Sequence, residues 1–309
     1  MKSASILLRV AALLLPAVSA LPLERRAISA DLLDTFQFFE QYAAAAYCPN
    51  NNNSPGTKLT CSQGNCPLVQ AADTNTVYEF ENSLSTDVTG YVAVDHTNKL
   101  IVVSFRGSSS IRNWIADIDF PFTDTDLCDG CQAASGFWQS WLEARDTVTP
   151  AVYQARAQKP DYQVVVTGHS LGGAIAALAA GDLRNQGYTV DLYTFGAPRV
   201  GNSTLSEYIT NQPGGNYRVT HWNDPVPKLP PLLMGYVHIS PEYYISSPNN
   251  VTVTANDVQV YEGVINLQGN EGDLTTDIDA HSWYFNEIGA CDDGEALEWK
   301  KRGVEVQWV

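Results

Sequence analysis

Apolar and polar positions along the chain follow two rhythms. Short runs rich in β-branched and apolar residues recur between turn residues: Thr76 to Phe80, Thr89 to Asp95, Leu100 to Phe105, Gln163 to Thr167, Tyr188 to Phe195 and Tyr217 to Thr220. Such runs read as strands. Leu100-Ile101-Val102-Val103-Ser104-Phe105 is apolar at nearly every position, the pattern of a strand covered on both faces at a sheet centre. Elsewhere the spacing is helical. Leu32, Leu33, Phe36, Phe39, Tyr42 and Ala43 share one helix face, with Asp31 as the expected N-cap. The Ala-rich segment from Ala174 to Leu183 has strong helix propensity. Strands alternating with helices predict an α/β chain with a predominantly parallel central sheet flanked by helices.

One short stretch is amphipathic in a different setting. Ile111, Trp114, Ile115 and Ile118 fall at i, i+3, i+4 and i+7, with Arg112, Asn113, Asp117 and Asp119 on the other side. It directly follows Phe105-Arg106-Gly107-Ser108-Ser109-Ser110 at the end of a central strand. Beside a reactive site, such a segment reads as a short helical lid. Its apolar face hides in water and is exposed at an oil surface.

The chain ends are built differently from the middle. Lys2, an apolar run from Ile6 to Val18 and the small residues Val18-Ser19-Ala20 have the form of a secretory leader over residues 1–20. Arg25-Arg26 then suggests a short propeptide over 21–26. A polar tail, 292–309, carries Lys300-Lys301-Arg302, a second candidate processing point. One large domain is expected over 27–291, with no repeat or low-complexity linker to divide it. The apolar leader is too short to be a comfortable membrane span. The formal charge of −16 argues against nucleic acid and against electrostatic docking to anionic membranes. A secreted monomer is expected. Sequons at Asn52, Asn202 and Asn250 are candidate surface glycosylation sites in such a chain. The six cysteines suggest three disulfides, whose pairing the sequence alone leaves open. Cys61 and Cys66 bracket a short loop and Cys128 and Cys131 a tight turn. If both close locally, Cys48 and Cys291 are left for each other. No histidine or second cysteine pair near Cys128 supports a metal, and no cofactor motif is present.

The reactive chemistry centres on Gly168-His169-Ser170-Leu171-Gly172. It lies between an expected strand and an expected helix, the context of a nucleophile elbow in the α/β-hydrolase fold. Ser170 is then the nucleophile, and the backbone N–H of Leu171 one oxyanion donor. The loop after an early strand supplies the second donor in that fold, which points to Ser108. A serine hydroxyl needs a histidine to take its proton and a carboxylate to orient that histidine. Asp224 lies just past an expected strand end. With the chain order Ser, Asp/Glu, His, His221 precedes that acid and His238 follows it closely. His281, after a Gly/Asp-rich loop, is the better-placed base. His96, His169, His221 and His238 are expected to be structural.

Together these residues resemble a known family, the secreted fungal class 3 lipases, especially those of the Thermomyces type. The resemblance is carried by Ser104-Phe105-Arg106-Gly107-Ser108, Ile111-x-x-Trp114-Ile115, Gly168-His169-Ser170-Leu171-Gly172-Gly173, Phe195-Gly196-Ala197-Pro198-Arg199-Val200-Gly201-Asn202, Asn223-Asp224-x-Val226-Pro227 and Ala280-His281-x-x-Tyr284. It implies a triacylglycerol lipase acting on long-chain esters at oil–water interfaces without a cofactor. It implies Ser170, Asp224 and His281 as the triad, Ser108 and Leu171 as oxyanion donors, and a lid near Ile111–Phe120. It also implies the disulfides Cys48–Cys291, Cys61–Cys66 and Cys128–Cys131. Two features depart from the pattern. Ser109 stands where some relatives carry a lid-hinge arginine, and the tail after Cys291 is longer than in the shortest members. Relatives with such tails often act on phospholipids as well, so phospholipase A1 or galactolipase activity is one alternative. A feruloyl-type esterase is another, against which Trp114, Ile115 and Ile118 argue. An inactive lipid-binding homologue is the non-enzymatic alternative.

Overall fold

The computed structural model describes residues 27–81, 86–109, 111 and 120–292. The expected leader and propeptide, and all of the expected tail except Asp292, lie outside the described residues, as do Trp114, Ile115 and Ile118 of the expected lid.

Among the described residues there are ten strands: β1 (Thr74–Phe80), β2 (Gly90–Asp95), β3 (Leu100–Phe105), β4 (Phe122–Asp124), β5 (Gln132–Ala134), β6 (Gln163–His169), β7 (Val190–Phe195), β8 (Asn216–His221), β9 (Glu242–Ile245) and β10 (Val258–Tyr261). Eight of them form one sheet in the order β1-β2-β3-β6-β7-β8-β9-β10, and β4 pairs with β5. From β3 through β9 the neighbours run parallel. Antiparallel pairs close both edges. The helices are α1 (Ala30–Ala45), α2 (Pro67–Ala71), α3 (Ser135–Gln158), α4 (Leu171–Asn185), α5 (Ser203–Asn211) and α6 (Asp279–Ser282).

The continuous apolar strand serves two cores. Ile101, Val103 and Phe105 of β3 pack with α3 and α4 on one face. Leu100 and Val102 pack with α1 on the other. That alternation is the period-2 geometry of a strand buried on both sides. Helix α1 is capped by Ser29, whose side chain accepts the Leu32 N–H at 3.2 Å. Asp31 stands in the first turn instead of at the cap. Helix α3 is the longest in the described residues, and the strand-and-helix pattern above did not include it. Its buried face is Phe137, Trp141, Ala144, Val148, Val152 and Ala155. Pro150 lies inside the helix, between Val148 and Val152 of that face, and has no N–H to donate. The Trp141 indole N–H, 2.9 Å from Asp182, ties α3 to α4.

Three disulfides close, Cys48–Cys291, Cys61–Cys66 and Cys128–Cys131. The first spans 243 residues and anchors the end of α1 to the end of the domain. A loop of that length gives roughly 5 kcal/mol in the chain-entropy account. No described helix is long and apolar enough to cross a membrane.

The sequons divide by burial. Asn52 is 2% exposed and its amide donates to the Ala46 carbonyl, so it is not the surface position expected of it. Asn202 caps α5 through its side chain and donates to the Gly130 carbonyl at 2.9 Å. Asn250 is exposed, in a left-handed turn conformation. If the secreted chain carries an N-glycan, intact mass should drop for Asn250→Gln and stay unchanged for Asn52→Gln.

Glu40, on the buried side of α1, is fully buried. Its Oε2 accepts from Asn286 at 3.0 Å, and Oε1 has no partner among the described residues. Burial pushes this carboxyl well above the usual range. The native group therefore holds its proton where the unfolded one has lost it, and its cost to stability grows as pH rises above the carboxylate range. Glu40→Gln should raise Tm relative to the parent, with the gap widening from about pH 4 to about pH 7. Calorimetry across that range checks the sign.

Candidate active site

Ser170 is the single residue between the end of β6 and the start of α4, with φ 57° and ψ −130°. A left-handed φ on a non-glycine residue costs about 1–3 kcal/mol. The packing on both sides enforces it. A Cβ on Gly168 would lie 2.4 Å from the Gly172 carbonyl oxygen, and one on Gly172 would lie 2.2 Å from that of Phe105. The Ser170 N–H donates to the Phe195 carbonyl at 2.9 Å, fixing the turn to β7. The Ser170 hydroxyl is buried and has no hydrogen-bond partner among the described residues.

Asp224 lies in the turn after β8, where Trp222 takes φ 36° and the Asp224 N–H donates to the His221 carbonyl at 3.0 Å. The carboxylate is fully buried. It accepts from the Val226 N–H at 2.8 Å, the Tyr284 hydroxyl at 2.7 Å and His281 Nδ1 at 2.9 and 3.0 Å. An isolated carboxylate there would cost several kcal/mol. Burial, and then the Asp224 charge, push the Tyr284 phenol well above its ordinary value, so it stays a donor.

His281 sits in the one-turn helix α6, nearly fully buried. Its Nδ1 faces Asp224, and its Nε2 has no partner among the described residues. His281 and Ser170 line one cavity together with Tyr47, Ser108, Ile111 and His169. The serine–histidine hydrogen bond is not formed in this state, and such contacts often close only when substrate binds. Ser108 and half-buried Ile111 face this cavity, and Leu171 opens α4 directly behind the serine. The first N–H groups of a helix have no intrahelical acceptor, which suits an oxyanion. A larger cavity of about 590 Å³ lies between β1 and α3, away from these groups.

Some supporting residues escaped the sequence reading. Asn270 donates from one amide to the Trp222 and Asp224 carbonyls, 2.9 Å each. His169, expected to be structural, also reaches the turn that carries His281: its Nε2 is 2.9 Å from the His281 carbonyl. Its Nδ1 lies 2.6 Å from the Tyr47 hydroxyl. Burial holds this ring well below its ordinary pKa, so it is neutral, with Nε2–H donating and Nδ1 accepting from Tyr47. His238 Nε2 contacts the Pro227 carbonyl at 2.7 Å, a structural role as expected.

A strained serine at an elbow, facing a histidine oriented by a buried aspartate, narrows the chemistry to acyl transfer. The model of the family described as Lipase (class 3) matches residues 102–234, and that of the lipase 3 N-terminal region matches 7–78. Secreted mono- and diacylglycerol lipase A of Penicillium cyclopium is 52% identical over 278 residues, covering 88% of this chain and 91% of that protein. The chain belongs to the class 3 lipases. Among solved structures, the mono- and diacylglycerol lipase of Aspergillus oryzae is 54% identical with a TM-score of 0.81, covering 84% of this chain and 98% of that one. The triacylglyceride lipase of Rhizomucor miehei is 30% identical with a TM-score of 0.76, covering 86% and 99%. This class 3 lipase is therefore an ester-hydrolysing enzyme of the α/β-hydrolase fold that acts on lipid. Its disulfides fit an extracellular protein, as do relatives named as secreted.

Gly196, with φ 61°, ends β7 beneath this lipase's site. An added Cβ would lie 2.7 Å from the Tyr284 hydroxyl and 3.0 Å from both Asp224 Oδ2 and His281 Cε1. Gly196→Ala should lower kcat about 10- to 100-fold with little change in KM. Steady-state kinetics on a soluble short-chain ester checks this.

Proposed function

We propose that the enzyme is a secreted acylglycerol lipase working at oil–water interfaces through a Ser170–His281–Asp224 acyl-enzyme mechanism. The observation that carries this reading is the pair of unpartnered atoms, Ser170 Oγ and His281 Nε2, on one cavity, with Asp224 holding the far side of the imidazole. Ser170 Oγ attacks the ester carbonyl carbon while His281 Nε2 takes its proton. The N–H groups of Leu171 and Ser108 hold the tetrahedral oxyanion, at about 3–4 kcal/mol per donor. Collapse breaks the ester bond, and the leaving glycerol oxygen takes the proton from Nε2. Water then gives a proton to the same nitrogen and attacks the acyl carbon; collapse breaks the bond to Ser170 Oγ, which takes the proton back from Nε2, and the fatty acid leaves. All these groups belong to one chain, so a monomer suffices. In this reading the catalytic domain is 27–291, behind a leader over 1–20 and a short propeptide over 21–26, and Lys300-Lys301-Arg302 in the tail is a candidate processing point.

Substrate preference within the acylglycerols follows from similarity. The relatives at 52% and 54% identity are named for mono- and diacylglycerols, and the one at 30% for triacylglycerides. Partial acylglycerols are therefore the preferred substrates and triacylglycerol the second reading. Emulsions of mono-, di- and triacylglycerol, with phosphatidylcholine and galactolipid as controls, separate the two; a rate led by triacylglycerol overturns the preference. Ser170→Ala should lower kcat on the order of 10⁴- to 10⁶-fold, and Asp224→Asn about 10⁴-fold. Retained turnover in either removes that residue from its role.

A further inference from the structure

His221, the last residue of β8, is fully buried between the two arms of the proposed triad. Its carbonyl accepts the Asp224 N–H at 3.0 Å. Its ring centroid lies 5.7 Å from that of Tyr284, whose hydroxyl donates to Asp224. Its two ring nitrogens each face a backbone carbonyl at 2.9 Å: Nδ1 that of Ala280, and Nε2 that of Ser247.

A neutral imidazole has one N–H, so it can satisfy only one of two carbonyls. Burial lowers the His221 pKa, opposed by the two carbonyl contacts and by the charges of Asp224 and Asp277, which keeps the neutral ring in play near neutral pH. The two acceptors differ in exposure: Ser247 is 7% exposed, while Ala280 is fully buried, in a helix of a single turn. The N–H that would come next in that helix, of Tyr284, donates instead to the Asn286 carbonyl at 3.1 Å. A buried carbonyl left without a donor is costly, and His221 Nδ1 is the group placed to serve it.

We propose that His221 is a positioning residue for His281, delivering its N–H from Nδ1 to the Ala280 carbonyl. That bond fixes the peptide between Ala280 and His281, and with it the direction in which the imidazole leaves the backbone. His169 holds the next carbonyl, of His281 itself. Two consecutive peptides of the base-bearing turn are thus each held by a histidine side chain, and the acid turn is held from the same β8 end. The inference rests on His281 being the base.

Asparagine and glutamine separate the two ring nitrogens. An asparagine amide nitrogen overlays Nδ1, and a glutamine amide nitrogen reaches as far as Nε2. His221→Asn should keep kcat within about threefold of the parent, while His221→Gln should lose about 10- to 100-fold in kcat at unchanged KM. Both should lower Tm to a similar degree. In the parent enzyme with ¹⁵N-labelled histidine, the His221 signal, assigned by its loss in His221→Asn, should show the proton on Nδ1; this reading does not depend on His221→Gln folding. Equal kcat in the two variants, a loss confined to KM or to Tm, or a proton on Nε2 overturns the proposal. His281→Ala is run alongside. If it keeps parental turnover, the base assignment itself fails, and that failure is distinct from any result on the His221 pair.

Discussion

The structure around the site is organised by one buried negative charge. Asp224 has no contact with solvent, and an anion in that position persists only if donors surround it. It has three: a backbone N–H two residues on, the Tyr284 phenol and the His281 ring. Two of the three arrive from a segment about sixty residues later in the chain. The loop before that segment is accordingly laced to the acid turn. Asp277 N–H donates to the Asn223 carbonyl, Asn223 to Thr275, and Lys228 to the Thr275 carbonyl, each at 3.1 Å. Asn270 spans the acid turn itself, while Glu242 accepts its N–H at 3.2 Å and pairs with Arg218 at 3.6 Å. Compensation of one carboxylate thus sets the path of a long, otherwise irregular loop.

The sheet supplies the rest of the frame. Strands β3, β6, β7 and β8 are parallel neighbours and end on the same side. Past their ends stand, in turn, Ser108, Ser170, Gly196 and Asp224. Parallel pairing brings these positions together because each strand exits at the same edge, where open α/β sheets collect their chemistry. Ser170, Gly196 and Trp222 take left-handed backbone at this edge. The strain is held there by the buried strands behind it, whose side chains fill both cores.

What the sequence made legible follows from the range of the forces involved. The central strands and α4 carry their burial in contiguous residues, so β3 could be read to the residue. The elbow is local too: its glycines are required by contacts within a few residues and one neighbouring strand. Asp224 and His281 were reachable because chain order leaves few candidates. Helix α3 was hidden by Pro150, and β9 and β10 are only four residues each, too short for periodicity to show. Misplacing the first N-cap on Asp31 instead of Ser29 reflects two good capping residues standing two apart. The parts of the site least visible in advance are the side chains whose partners are main-chain carbonyls. Asn270, His169 and His221 bind groups that every residue possesses, so no residue pattern marks the partner. The burial of Asn52 was hidden for the same reason, since its amide serves the end of α1.

Several histidines crowd this region, and their hydrogen bonds set one of them, His281, apart. His169 gives Nε2–H to the His281 carbonyl and takes the Tyr47 hydroxyl at Nδ1. His221 has carbonyls at both nitrogens, and a carbonyl cannot donate a proton or be displaced by a hydroxyl that must lose one. Burial holds both of these rings below their ordinary pKa, so neither readily accepts a proton. His281 differs in two ways at once. One of its nitrogens is held by a carboxylate and not by a carbonyl, and its second nitrogen is left over on the cavity that Ser170 faces. What sets His281 apart is thus what its neighbours' ring nitrogens are already bonded to, as well as the cavity it shares with the serine. The same neighbours, kept neutral, add no positive charge that would oppose the imidazolium of the proposed mechanism.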